Sequence, residues 1–161
     1  MGMAAGAMAA WLTIGTLFGG IATPAVADRE ATIMAVQQGP TLDLASYRWE
    51  NRLVLIFAST TNDATLQEQL HTFGWRDPEV VDRDLILGYF PITEIGSFGG
   101  EPIAASAGAA LREKFDIAAD SFTVLLIGKD GGVKMRSATP LTADKIFATI
   151  DSMPMRQQET R

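Results

Sequence analysis

The 161-residue chain contains no cysteine, so disulfide exchange, thiolate attack and thiolate metal ligation are all closed to it. Disulfide staples are excluded as well, and the core has to hold unaided. Histidine is nearly as scarce, with His71 the single imidazole. Positive charge is in the minority: 13 Lys and Arg stand against 19 Asp and Glu, for a net charge of −6. Without clustered Lys and Arg, that sign argues against nucleic acid and anionic membrane surfaces as partners. Charge of either sign is missing from the first 27 residues, MGMAAGAMAAWLTIGTLFGGIATPAVA. This stretch ends in small residues spaced A-x-A (Ala25 to Ala27), which predicts a secretory signal cleaved after Ala27. Its n-region lacks Lys and Arg, and the run is long enough for an uncleaved anchor to be the alternative.

What remains, residues 28–161, is one domain's worth of chain. Residues 28–40 read as a flexible lead-in, 41–153 as the folded domain and 154–161 as a C-terminal tail. Arg52 to Ala58 is a near-continuous apolar run, the mark of a strand buried on both faces. Asn62 to Phe73 reads as a helix, with Leu66, Leu70 and Phe73 on one face and a cap supplied by Asn62, Asp63 or a Thr65–Glu68 box. Asp77-Pro78 is a break, followed by a short helical turn through Val80 and Val81. Asp84 to Ile92 is a second strand that stops pairing at Pro91. Thr93 to Pro102, with three glycines, reads as a flexible loop. Ala104 to Phe115 is an alanine-rich helix and Phe122 to Gly128 a third strand. Lys129-Asp130-Gly131-Gly132 is a hairpin turn leading into a fourth strand, Val133 to Arg136. Thr142 to Met153 closes the domain as an amphipathic helix.

The order β-α-β-α-β-β-α resembles the thioredoxin fold, an α/β architecture with a four-stranded mixed sheet and helices on both faces. At finer grain, YRWENRLVLIFA, LREKFDIAADSFTVLLIGKDGGVKMRS and IDSMPMRQQE together resemble domain-of-unknown-function family 4174. This is a peroxiredoxin-like domain, also called the DUDES domain. The resemblance spans about Leu42 to Glu159, and GKDGGVKxR and MPMRQ are its most specific parts. It implies a small exported bacterial protein, with related domains in animal sushi-repeat and extracellular-matrix proteins. It brings no established activity.

Thioredoxins carry C-x-x-C after the first core strand, where free N–H groups and the helix dipole stabilise a thiolate. By position Thr61, Asn62, Asp63 and Ala64 fill those four slots, and Phe122 stands where the fold's cis-proline would be. Thr61 has no base beside it, since His71 lies more than two turns along the helix and reads as a half-exposed surface residue. Thr and Asn read as helix caps, and Asp63 would repel an anion there. The surviving rim of such a site would comprise Thr60, Ser97, Phe98 and Ser121, a possible binding surface.

Three further groups can be weighed. Tyr47, Arg48, Trp49 and Arg52 are an aromatic–basic cluster of the kind that dominates binding hot spots, although Trp49 sealing the core edge is the plainer reading. Lys134 and Arg136 fall on one face of the last strand and, with Arg156 on the tail, suggest a small basic patch or a charge-guarded sheet edge. Met34, Met135, Met153 and Met155 could bind Cu(I) but fit core filling better. Glu94 and Glu101 flank the glycine-rich loop without forming a hydrolase pair. No cofactor is implied.

These features predict an exported, non-catalytic binding or accessory protein of the bacterial envelope, with a protein or small molecule as partner. The alternative is a cysteine-independent enzyme, hydrolytic or metal-assisted, at the same rim. The mass of the exported protein checks the leader: cleavage gives a chain starting at Asp28, and retention of residues 1–27 refutes it.

Overall fold

The computed structural model describes residues 42–73 and 78–159. The leader, the lead-in, Met34, Gly74 and Asp77 lie outside the described residues. Two parallel strands form the centre of the sheet: β1 (Arg52–Phe57) pairs with β2 (Leu85–Phe90) in the register Arg52↔Leu85 to Phe57↔Phe90. On the other side of β1 runs β5 (Thr123–Ile127), antiparallel, and then β6 (Val133–Ser137). All six residues of β1 are buried, as expected of a strand covered on both faces.

Side chains alternate across the pleat. Val54, Ile56, Leu87, Val124 and Leu126 meet α1 (Ala64–Thr72), α2 (Pro78–Asp82) and α4 (Ala143–Asp151) through Leu66, Val80, Ile146, Phe147 and Ile150. Leu53, Leu55, Phe57, Phe90, Leu125 and Ile127 meet Leu44 of a 3-10 turn (Leu44–Tyr47) and Leu111 of α3 (Ala105–Lys114). Helices therefore cover both faces. Ile146 and Ile150 are fully enclosed, and side chains of that size contribute about 1.5–3 kcal/mol each when withdrawn from water.

The sheet has six strands rather than the expected four, with two short strands added beyond the outer edge of β2. The difference arises in the stretch read as a loop. Gly99 and Gly100 turn at φ +62° and +89°, a conformation that glycine adopts freely. Gly96–Phe98 (β3) and Glu101–Ile103 (β4) thereby fold onto the outer edge of β2 as a hairpin. Gly88 makes room for it: a Cβ there would lie 2.7 Å from the Phe98 ring. Pro102 is in β4, the outermost strand, where the missing N–H costs no ladder bond.

The second correction is at the C-terminus. The expected tail is helical from Pro154 to Glu159 (α5) and buries Arg156. Its guanidinium bonds to the carboxylate and the carbonyl of Asp82, and its Nε lies 3.4 Å from Asp151. Charge pairing anchors a segment that has too little apolar surface to be recognised by periodicity.

One buried polar residue ties α1 to the chain before α4. The Gln69 amide, fully enclosed, donates to the Leu141 carbonyl at 2.9 Å and accepts from the Leu141 N–H at 2.7 Å. Gln69→Ala strands both backbone groups and is expected to cost roughly 2–4 kcal/mol in urea unfolding. A loss below about 0.5 kcal/mol, the scale of an ordinary surface change, would contradict this assignment.

Candidate functional site

The turn from β1 to α1 is closed by its own side chains. Asp63 is the N-cap, accepting from the N–H groups of Thr65 (2.8 Å) and Leu66 (3.3 Å). Glu94 accepts from the Thr61 N–H at 2.9 Å, and Gln67 donates to the Thr61 carbonyl at 2.7 Å. Hydrogen bonds from the Thr61 hydroxyl and then its N–H hold the Glu94 carboxyl below its ordinary pKa. Donors that could stabilise an anion at this helix start are therefore engaged by two carboxylates, which would oppose a further negative charge. Ala64 is the first helical residue, while Thr60 and Asn62 are exposed. His71 is exposed on the surface of α1.

The expected rim loses Phe98 to the interior. Phe98 is 7% exposed and packs its ring against Tyr47 and Phe90, inside the α3-side core. Ser97 is half-buried on β3. Ser121 donates back to the Ala118 carbonyl at 2.8 Å, and Phe122 leans on the α1-side core. The turn and the Ser121 loop meet where the Ser59 hydroxyl reaches the Asp120 carbonyl at 3.5 Å.

Beneath them lies a residue that the sequence reading left as an ordinary helix end. Arg112 is 7% exposed and donates to the carbonyls of Ala58 (2.7 Å), Phe90 (3.2 Å) and Ala118 (3.1 Å). It also covers the Phe57 ring at 5.3 Å. One guanidinium thus ties together the ends of β1 and β2 and the loop before β5. Burial presses its pKa below the ordinary arginine value. The signal was its spacing, since Arg112 continues the buried stripe Ala104, Ala107, Gly108 and Leu111.

At the other end of β1 the aromatic–basic cluster splits. Arg52 is completely buried, donating to the Arg83 carbonyl at 3.0 Å and to both oxygens of Glu159 at 3.3 and 3.1 Å. Lys129 joins it, 2.7 Å from Glu159 and 2.8 Å from Asp84. Arg48 instead grips the Asp130 carbonyl from the surface at 3.0 and 3.2 Å. Trp49 is 63% exposed rather than sealing the core, because a left-handed backbone (φ +71°) turns it outward. Its N–H donates to the Lys129 carbonyl at 2.7 Å and holds that conformation.

Lys134 and Arg136 do not share a face. The β5–β6 register shifts between Leu126 and Ile127, and such an irregularity changes which way successive side chains point. Lys134 lines a 450 Å³ cleft with Arg52, Thr149, Met153 and Met155. Arg136 lines a 350 Å³ hollow on the opposite side, with Phe115, Leu125 and Val133. Arg156, tied to Asp82, belongs to neither. Met135 and Met153 pack against the core. Among the described residues, no three His, Asp or Glu side chains converge as a metal site requires.

Residues 43–159 match the family described as "Domain of unknown function (DUF4174)". Coiled-coil domain-containing protein 80 of Danio rerio is 33% identical over 132 residues, covering 72% of this chain and 15% of its own length. No solved structure matches the chain.

The ion pairs around α5 predict the acid response. Arg83 bonds hold the Asp151 carboxyl below its ordinary range. Burial raises that of Glu159, but bonds from Lys129 and Arg52 outweigh it. Both folded values are depressed, so their contribution is complete above the unfolded carboxyl range and is lost as pH falls through the folded values. Urea midpoints are expected to hold between about pH 6 and 7.5 and to drop below about pH 4. Glu159→Gln should flatten part of that drop; an unchanged acid limb would contradict the assignment.

Proposed function

The chain belongs to the DUF4174 family, and from that premise we propose an exported thioredoxin-like domain that works by binding rather than by catalysis. The four strands β2-β1-β5-β6, two parallel and then an antiparallel hairpin, support the thioredoxin-like reading. On this reading the β3–β4 hairpin is an addition to one edge. Fold alone does not assign function. The observation that carries the proposal is the β1–α1 turn, where Asp63 and Glu94 occupy the N–H groups that redox chemistry would use. The uncharged leader supports export, and the resemblance to exported proteins points to the bacterial envelope. A protein or small molecule remains the partner class, with no cofactor.

Crosslinking in the native envelope, paired with turnover assays of the purified chain, tests this reading. Partner adducts are expected, with neither insulin reduction nor peroxide consumption. Asp63→Ala should behave as an ordinary cap loss of about 0.5–2 kcal/mol. Turnover of any substrate that Thr61→Ala or Asp63→Ala abolishes at unchanged melting temperature would overturn it.

A further inference from the structure

The surface between α3 and β6 has three properties together. The first is an open edge: β6 ends the sheet, and no strand pairs with its outer side among the described residues. The second is apolar relief. Val133 is 46% exposed above the 350 Å³ hollow that includes Phe115 and Leu125. A neighbouring hollow of 210 Å³, lined by Leu44, Tyr47 and Leu53, shares Lys114 and Phe115 with it. The two form one discontinuous trough under the end of α3.

The third property is unneutralised positive charge. Arg48, Lys114 and Arg136 line this trough, and no carboxylate lies within ion-pair distance of any of them among the described residues. Arg48 and Arg136 bond to backbone carbonyls, and Lys114 lies over the Phe115 ring at 5.7 Å. These contacts orient the cations without cancelling their charge. Elsewhere Arg52, Arg83, Lys129, Lys134 and Arg156 meet carboxylates, while Arg112 is buried against carbonyls and Lys145 is a single exposed cation on α4. The chain as a whole is acidic, at −6, so this face runs against its net charge. Among the described residues, Asp116 is the one carboxylate lining the trough.

We propose that the open edge of β6 and the trough beside it take an extended acidic peptide of a partner protein as an added strand. Backbone pairing supplies the contact along the edge, while alternate side chains reach the trough. Its acidic side chains meet Arg136, Lys114 and Arg48, and an apolar one enters beside Val133. The register shift in β6 is what makes this possible, because it brings Val133 and Arg136 to the same face. The inference rests on the binding reading above and adds the surface and the chemistry of the partner.

The probe is a fluorescein-labelled nonapeptide alternating Glu and Val, titrated into the full chain by fluorescence anisotropy. Saturable binding is expected. A Lys–Val counterpart should not bind, and N-methylation of alternate peptide amides should abolish binding by removing the peptide's donors to the β6 carbonyls. Arg136→Glu should weaken affinity about tenfold or more by placing like charges together, whereas Glu68→Gln, exposed on α1 across the sheet, should leave it unchanged. Lack of binding by the unmodified peptide would overturn the proposal. So would equal binding of the N-methylated form, which would reduce the effect to charge, or of polyphosphate in place of peptide. Binding seen only after residues 28–41 are deleted would assign the trough to the chain's own lead-in and overturn it too. None of these failures bears on turnover, so the non-catalytic reading stands or falls separately.

Discussion

The central strand opens on a guanidinium that water does not reach, and much of the molecule is arranged to satisfy it. An isolated charge in that position would be costly enough to unfold a small domain. Glu159 supplies the counter-charge, which requires α5 to dock. Lys129 shares the same carboxylate, which brings the β5–β6 turn into place. That turn in turn offers its carbonyls to the Trp49 N–H and to Arg48. The C-terminal helix, the hairpin and the approach to β1 are therefore positioned through Arg52. Asp151 extends the same logic outward through Arg83 and Arg156.

The far end of β1 solves the same problem by different means. Arg112 meets three carbonyls and an aromatic face instead of a carboxylate. Carbonyl dipoles orient and partly stabilise the charge without neutralising it. The two arginines bracket the central strand and clamp its neighbours at both ends. In a chain without disulfides, such polar ties complement the apolar packing between them. Order at the β1–α1 turn then follows from scaffold and capping together.

The parts of this architecture driven by apolar periodicity were readable from the residues. The runs Leu53–Phe57 and Val124–Ile127, and the stripe Ile146, Phe147, Ile150, found their expected strands and helix because burial dictates them directly. What escaped was held by something other than hydrophobic pattern. The β3–β4 hairpin hides in a glycine-rich stretch whose strands are three residues each, too short for alternation to register. Helix α5 depends on Arg156 and Glu159 finding partners far away in sequence. The separation of Lys134 from Arg136 depends on a register shift that alternation alone cannot reveal. Trp49 faces outward because of one backbone conformation, which composition does not encode. That a cap opens α1 was legible, since caps are local, but which of Asn62, Asp63 or the Thr65–Glu68 box supplies it was not; nor was the partnership of Glu94 with Thr61, since it spans a fold-back.

The sheet finishes differently on its two sides. One margin ends in three residues with a proline among them, the other in five residues carrying an irregular register and fixed positive charge. Two such margins are poor complements, so copies of the domain placed side by side have little tendency to fuse into a continuous ribbon.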